Sequence, residues 1–365
     1  MWLAPIGEQG PGALGSPRVE VRQAPPRRTL VPGVSVVVTV RNEAAHLPFL
    51  LAALEAQTLD PERYEVIVVD DGSEDETAAI ARRSATRVIE AGTHVGLPTG
   101  RNIGIRAARA KIIAFTDGDC IPDPDWLATG LSQIEALDAD ILAGAITVPV
   151  DRQPTIASLV DIATFFDQEE FAARGFGAGA NLWVRRSVFD RYGLFDERLG
   201  MYGDEEEFCQ RATSGGARLI YAPEVHVAHT PRRRTLEVAW KGFKLGYGLA
   251  AHRDYTAGPL ASHRRIFLQP RAYLPARRIY GLSRLRAQYR PTRRELVKMY
   301  FLQYLVNGSR LLGDAVGELV QFRKGRRAKP RGEAHAPPAG SAESAGAEAS
   351  QDGEGPDTPA FPVVE

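Results

Sequence analysis

Short apolar runs alternate with amphipathic stretches along the first third of the chain. Val34 to Val40 reads Val-Ser-Val-Val-Val-Thr-Val behind a Pro-Gly pair, the pattern of a buried parallel strand. Ala44 to Gln57 follows, with Leu47, Leu50, Leu51 and Leu54 at helical spacing. Glu65 to Val69 predicts a second strand running into Asp70-Asp71-Gly72-Ser73, and Asp75 to Ser84 a helix. Arg87 to Glu90 reads as a brief strand, Thr99 to Arg109 as a helix, and Lys111 to Thr116 as a strand that ends at Asp117-Gly118-Asp119. This alternation predicts an α/β fold, a doubly wound and mostly parallel sheet with helices on both faces.

Past Trp126 the rhythm loosens. A helix is expected over Trp126–Leu137, a strand over Asp140–Val148, a helix over Ile156–Phe171, a glycine-rich loop over Gly175–Ala180 and a helix over Glu205–Thr213. Beyond Pro231 the chain is arginine-rich and helical in character. Its apolar stretch from Met299 to Val320 is interrupted by Asn307, Arg310 and Asp314, too polar to span a bilayer. It reads as a helix packed on the rest of the protein, with a helix lying on a membrane surface as the alternative. Four segments result: a flexible leader (1–32) rich in Pro, Gly and Arg, an α/β domain (33–230), a basic helical segment (231–331) and a disordered acidic tail (332–365).

Charge sharpens this division. The 365 residues have a formal net charge of zero, yet residues 1–230 carry 21 basic and 33 acidic side chains, 231–331 carry 24 and 5, and 332–365 carry none and 7. A basic block beside an acidic body suits nucleic acid, a phosphate-bearing substrate or an anionic membrane, or forms a plain solvated face. The leader lacks the continuous apolar stretch of a signal peptide. Cys120 and Cys209 alone make no disulfide framework, which fits a reducing compartment.

In open α/β sheets ligands bind at the carboxyl ends of strands. Three such ends are polar here: Thr39, Arg41, Asn42 and Glu43 after the first strand, Asp70 and Asp71 after the second, Asp117 and Asp119 after the fourth. The spacing Asp-x-Asp in a tight turn lets two carboxylates face one volume and hold a hard divalent cation with positions left open for phosphate oxygens. Neither a Gly-x-Gly-x-x-Gly turn nor a P-loop follows the first strand, so neutralising a diphosphate falls to metal and basic side chains. Arg101, at the start of a helix, is placed to contribute.

These blocks resemble the inverting family 2 glycosyltransferases of the GT-A fold. The likeness runs through Val36-Val37-Val38-Thr39-Val40-Arg41-Asn42-Glu43, Val69-Asp70-Asp71-Gly72-Ser73, Gly100-Arg101-Asn102, Phe115-Thr116-Asp117-Gly118-Asp119, Pro124-Asp125-Trp126-Leu127 and Phe195-Asp196-Glu197. The resemblance implies a hexosyltransferase-type enzyme that moves a sugar from a nucleoside-diphosphate sugar to an acceptor hydroxyl in cell-surface or secreted glycan or glycolipid synthesis. It implies that Asp70 and Asp71 read the nucleobase and ribose, and that Thr39, Arg41 and Glu43 line the nucleotide pocket. Arg101 and Asp117 would meet the donor, while Asp119, with Asp117 and His229, would hold Mg²⁺ or Mn²⁺. His226 fits that last place less well by spacing. Asn181 and Trp183 would lie on the acceptor side. The base is where the sequence departs from the family: Asp204-Glu205-Glu206-Glu207 stands where the family shows an acidic pair in the reverse order, so Glu205 takes the base position and Asp204 is the alternative.

Partners expected from this reading are the nucleotide-sugar donor, a glycan or lipid-linked acceptor and peripheral contact with an anionic membrane, with the protein cytoplasmic or at the inner face of that membrane. Two rivals remain. A nucleotidyltransferase acting on sugar phosphates would want a basic, glycine-rich loop after the first strand, which Arg41-Asn42-Glu43 does not supply. A membrane- or nucleic-acid-binding protein would act through the basic segment, with Tyr273, Tyr280 and Tyr289 interleaved; nucleic acid is the weaker partner.

Overall fold

A computed structural model describes residues 20–23, 31–257 apart from positions 86, 165, 200 and 201, and 281–327. Most of the leader, Tyr273, Tyr280 and the acidic tail lie outside the described residues. Among the described residues nine strands form one sheet: β1 (Glu20–Gln23), β2 (Val34–Val40), β3 (Tyr64–Asp70), β4 (Arg87–Glu90), β5 (Ile112–Phe115), β6 (Cys120–Pro122), β7 (Ile141–Thr147), β8 (Leu182–Arg185) and β9 (Leu219–His229). Their order is β1-β4-β3-β2-β5-β8-β7-β9-β6. Around them lie α1 (Leu47–Glu55), α2 (Thr77–Ser84), α3 (Leu97–Ala107), α4 (Trp126–Ala136), α5 (Ile156–Thr164), α6 (Gln168–Ala173), α7 (Arg186–Tyr192), α8 (Asp204–Ser214), α9 (Thr235–Ala257), α10 (Leu282–Gln288) and α11 (Arg293–Arg327).

Strand pleat explains the two-faced core. Val34, Val36, Val38 and Val40 of β2 face a cluster with Leu47, Leu50, Trp126 and Trp183, while Val37 faces the other side with Ile67, Ile105, Phe115 and Phe208. Helices therefore cover both faces, as the apolar alternation requires. The parallel character holds where βαβ units build the sheet: β4, β3, β2 and β5 run parallel. Beyond β5 the sheet is mixed, with β8 antiparallel to β5 and β7, and β6 antiparallel to β9. The leader also departs from expectation, because Glu20–Gln23 pairs antiparallel with β4 at the sheet edge.

Three further differences have local causes. The long helix expected over 156–171 is two, α5 and α6, with Phe166 between them in the left-handed region at φ 63°. Strand β8 and helix α7 follow each other directly, so their combined pattern has neither a clean period of two nor of 3.6. Strand β6 has only three residues. No helix among the described residues is long and apolar enough to cross a membrane.

Glycines set the closest approaches of helix to sheet. A Cβ at Gly104 of α3 would meet Val37 Cγ1 at 2.3 Å, and one at Gly100 would meet Thr39 Cγ2 at 2.4 Å, so α3 sits flush on β2. A Cβ at Gly130 of α4 would fall 2.2 Å from Trp183 Cζ2. That indole cannot swing away freely, because its Nε1 donates to Asn181. Alanine gains about 1 kcal/mol over glycine in a helix interior, but overpacking a core costs about 1–3 kcal/mol. Gly130→Ala is therefore expected to destabilise the protein by about 1–2 kcal/mol in urea unfolding, against the sign of helix propensity.

Candidate active site

Strands β2, β3 and β5 are parallel neighbours, so Thr39, Asp70 and the Asp117 turn emerge at one edge of the sheet. The two acids after β3 are used differently. Asp71 is buried and accepts from the backbone N–H of Val95 and Gly96, with His94 Nδ1 at 2.8 Å. It thereby anchors the loop leading into α3, which also crowds Gly72: a Cβ there would lie 2.7 Å from the Thr93 backbone. Asp70 accepts from Ser73 N–H through Oδ2, while its buried Oδ1 finds no hydrogen-bond partner among the described residues. Thr39 Oγ1 is in the same position on the adjoining strand. Asn42 takes a left-handed φ of 56° and its side chain accepts from Glu74 N–H, turning the chain so that Glu43 faces inward. Burial, then the nearby Asp119, push the Glu43 carboxyl above its ordinary range. Arg41 is exposed at the rim.

Arg101 occupies the centre. It is 3% exposed, and its guanidinium reaches Asp204 at 2.6 Å, Glu205 at 2.8 Å and Asp117 at 3.9 Å. Burial works against the charged guanidinium, but Glu205 and Asp204 outweigh it and hold Arg101 protonated. Its neighbour Asn102 is spent on structure, exchanging hydrogen bonds with the Phe195 backbone and donating to Glu197. The acidic run of α8 divides in the same way. Glu206 and Glu207 turn to Arg174 and Arg211, whereas Asp204 and Glu205 turn to Arg101.

Between the two candidate bases the structure makes a distinction. Asp204 is fully buried, and burial, reinforced by the Glu205 charge, raises its carboxyl to about 7. Glu205 keeps 17% of its side chain exposed and accepts from Gly179 N–H at 3.2 Å. Burial would raise it as well, but Arg101 outweighs that and holds it ionised. A Cβ at Gly179 would meet Arg101 Nη2 at 2.2 Å and Glu205 Oε1 at 2.8 Å. The glycine-rich loop is thus a backbone lid resting on the ion-paired cluster.

A second cluster gathers beyond Arg101. Strand β6 pairs Cys120 with His229 of β9, and this register brings His229 Nε2 to 3.3 Å from Asp119 Oδ1. His229 Nδ1 lies 2.8 Å from the Thr230 carbonyl, which can only accept, so that nitrogen carries the proton. Burial lowers the imidazole to about 4, so at neutral pH the Nε2 lone pair faces a carboxylate. Two electron-rich atoms at that distance suit a shared cation. Cys120 Sγ lies in the same group, and burial pushes its thiol well above the ordinary range. Asp117, one-third exposed, completes the acidic turn; burial lifts it to about 6 against Arg101, with Asp119 adding to the lift. His226 is occupied elsewhere, between Asp123 and Thr147.

Asn181 and Trp183 require a correction. Both are fully buried. Asn181 Nδ2 donates to the carbonyls of Ala145 and Val225, and Oδ1 accepts from the indoles of Trp126 and Trp183. Every hydrogen-bonding position of the amide is filled by the protein, so it clamps the core and has none left for an acceptor.

Four side chains at the site went unread in the sequence. Phe166 stacks on His229 with ring centroids 4.4 Å apart, and Lys241 of α9 places Nζ 4.0 Å from the Phe166 ring centre. Arg232 and Lys241 both approach buried Asp161. Tyr202 stands just before α8, its phenol raised to about 12 by burial. The signal for Arg232 was its place three residues after His229; nothing in the sequence distinguished Lys241 from its 23 basic companions in segment 231–331.

The profile described as "Glycosyl transferase family 2" matches residues 35–193. The chain is similar to "Glycosyltransferase AglE" of Haloferax volcanii, 34% identical over 224 residues, covering 60% of this chain and 73% of that protein. It is 28% identical over 240 residues to "Pre-mycofactocin glycosyltransferase" of Mycobacterium tuberculosis, covering 61% and 49% respectively. It is also 34% identical over 118 residues to "Dodecaprenyl-phosphate galacturonate synthase" of Rhizobium johnstonii, covering 30% and 35%. The chain thus spans about half and about a third of the last two.

The His229 environment makes a measurable prediction. Its folded pKa, about 4, lies below the ordinary 6.5, so its contribution to stability is complete above about 6.5 and is lost as pH falls through 4. In the presence of chelator, urea unfolding should show the wild-type chain losing on the order of 3 kcal/mol more than His229→Gln across that window.

Proposed function

We propose, from the premise that the chain belongs to glycosyl transferase family 2 and is a glycosyltransferase, that it transfers a sugar from a nucleoside-diphosphate donor to an acceptor hydroxyl by one displacement that inverts the anomeric carbon. The observation that carries this reading is the double engagement of Arg101, with Asp117 on the donor side and Glu205 on the side of α8. One cation joins the acidic turn to a partly exposed carboxylate, an arrangement that suits a diphosphate leaving group on one side and an attacking hydroxyl on the other.

The roles follow from what each side chain has free. Asp70 Oδ1 and Thr39 Oγ1 offer acceptor and donor to the nucleoside, while Asp71 holds the loop that carries α3 into place. Glu205 is ionised and reachable, so it takes the proton of the acceptor hydroxyl; general-base help of this kind contributes about 10²–10⁴-fold. Asp204 positions Arg101 from below. Arg101 stabilises the negative charge that builds on the departing diphosphate, in a setting preorganised by the ion pairs around it. Mg²⁺ or Mn²⁺, held by Asp119 and His229 with Asp117 beside them, supplies Lewis-acid charge to that leaving group when bound. Lys241 and Arg232 add a positive field at the same end of the cleft.

For the acceptor we favour a glycan or a lipid-linked saccharide in cell-surface or secreted glycan synthesis, at the cytoplasmic face of a membrane. Support for the lipid carrier alone comes from the likeness to a dodecaprenyl-phosphate galacturonate synthase.

Two variants separate the roles. Glu205→Gln is expected to cut transfer by about 10²–10⁴-fold while donor-nucleotide affinity stays within a few-fold. Asp119→Ala should lose both transfer and metal-dependent nucleotide binding. A thermal-shift series with UDP-, GDP-, dTDP- and ADP-sugars, each with Mn²⁺ and with chelator, should show stabilisation by one nucleotide class that chelator removes. Full turnover in both variants would overturn the assignment.

A further inference from the structure

Helix α11 has two apolar faces, and the described residues pack on only one. Met299, Leu302 and Val306 are buried in a cluster with Leu159, Val160 and Val238. Glycines bring α9 and α11 together: a Cβ at Gly313 would lie 2.0 Å from the Phe243 carbonyl, and one at Gly246 1.9 Å from the Arg310 carbonyl. On the opposite side Val297, Phe301, Tyr304, Leu305, Leu312 and Leu319 are exposed, at 57, 66, 49, 50, 60 and 62%. At 100° per residue these positions fall within an arc of about 100° and run for about 33 Å along the helix. On the neighbouring α9, Leu236 and Trp240 are also exposed, at 81 and 55%. A continuous apolar stripe of this length on a soluble surface marks a contact.

Charge narrows the occupant. Arg293, Arg294 and Lys298 are exposed at the start of the stripe, and Arg323, Lys324, Arg326 and Arg327 fill the last turns of the same helix. Its acids, Glu295, Asp314 and Glu318, all fall outside the arc at helical spacing. Segment 231–331 as a whole carries 24 basic against 5 acidic residues. A second copy of the chain would bring two such segments together, whereas an anionic lipid surface offers both a hydrocarbon boundary for the stripe and phosphates for the basic ends. No helix among the described residues is long and apolar enough to cross the bilayer, so α11 would lie in its plane.

We propose that α11, aided by the first turns of α9, seats the enzyme in the plane of an anionic lipid bilayer. The contact is independent of the transfer reaction and stands or falls separately from it.

Co-sedimentation of the full chain with vesicles tests it. Wild type should partition onto vesicles containing phosphatidylglycerol, more weakly onto pure phosphatidylcholine, and less at raised salt. The double variant Phe301→Asp, Leu312→Asp should lose about ten-fold or more of that partitioning with an unchanged melting temperature, since both side chains are solvent-facing. Arg293→Glu with Lys298→Glu should abolish the preference for anionic lipid and spare any residual binding. The proposal is overturned if wild type ignores the vesicles or if the double variant binds them as well as wild type. It is equally overturned if light scattering shows a dimer that the double variant dissociates without any vesicle binding. A melting temperature lowered by the double variant would overturn it too, because the stripe would then be covered by the chain itself. Nucleotide binding measured in parallel keeps failure of this contact distinct from failure of the transferase reading.

Discussion

A guanidinium removed from water is the constraint around which this site is arranged. Arg101 is almost wholly buried, and its desolvation is offset chiefly by carboxylates drawn from separate parts of the chain: Asp117 after β5, and Asp204 and Glu205 at the start of α8. Removing one member of such a buried group leaves an uncompensated charge, at a cost of about 3–5 kcal/mol. The ion pairs therefore tie three elements to one point. Gly100 and Gly104 let α3 reach β2 closely enough to deliver the arginine, and Gly179 lets the loop before β8 rest on the cluster. Helix and loop positions are subordinate to that one cation.

The acidic pairs in the site divide their labour. Asp71 is spent on the backbone of residues 95 and 96, while Asp70 keeps an oxygen without a protein partner. Asp204 is sealed under Arg101, while Glu205 keeps an exposed edge. Asp119 faces a neutral imidazole, while Asp117 leans towards the arginine. Asp71 and Asp204 are committed to holding their neighbours in place, while Asp117 and Asp119 both stay at the acidic turn. Holding the working groups in place by neighbours that do no chemistry is what preorganisation requires, since a group that must first find its position loses the advantage of proximity.

The basic segment, which by charge alone suited several partners, does two separate things. Arg232 and Lys241 turn inward, where the field of Asp161, Asp119 and Asp117 meets them. Arg293, Arg294 and Lys298, with the apolar stripe of α11, turn outward. A net charge of zero for the whole chain conceals this arrangement.

Most strands and helices up to α4 were legible because their apolar residues recur at a period of two or 3.6, and burial of one face imposes that period on the sequence itself. The acidic strand ends and Arg101 were legible because parallel strands deliver their carboxyl ends to one edge. The reading failed where neighbours in space decide. Asn181 looked like an acceptor contact, yet it is a core clamp, since the two indoles and two carbonyls it joins come from four distant points. Residues 182–192 and the break at Phe166 carried no clean period to read. The sequence by itself determined which segments are strands and helices and which acids stand at strand ends, since those depend on local periodicity. Only the tertiary structure decided how the acids of each pair are partnered, at what distance His229 meets Asp119, and that Lys241 closes on the site, because partners far apart in sequence set burial, hydrogen bonding and charge at each position.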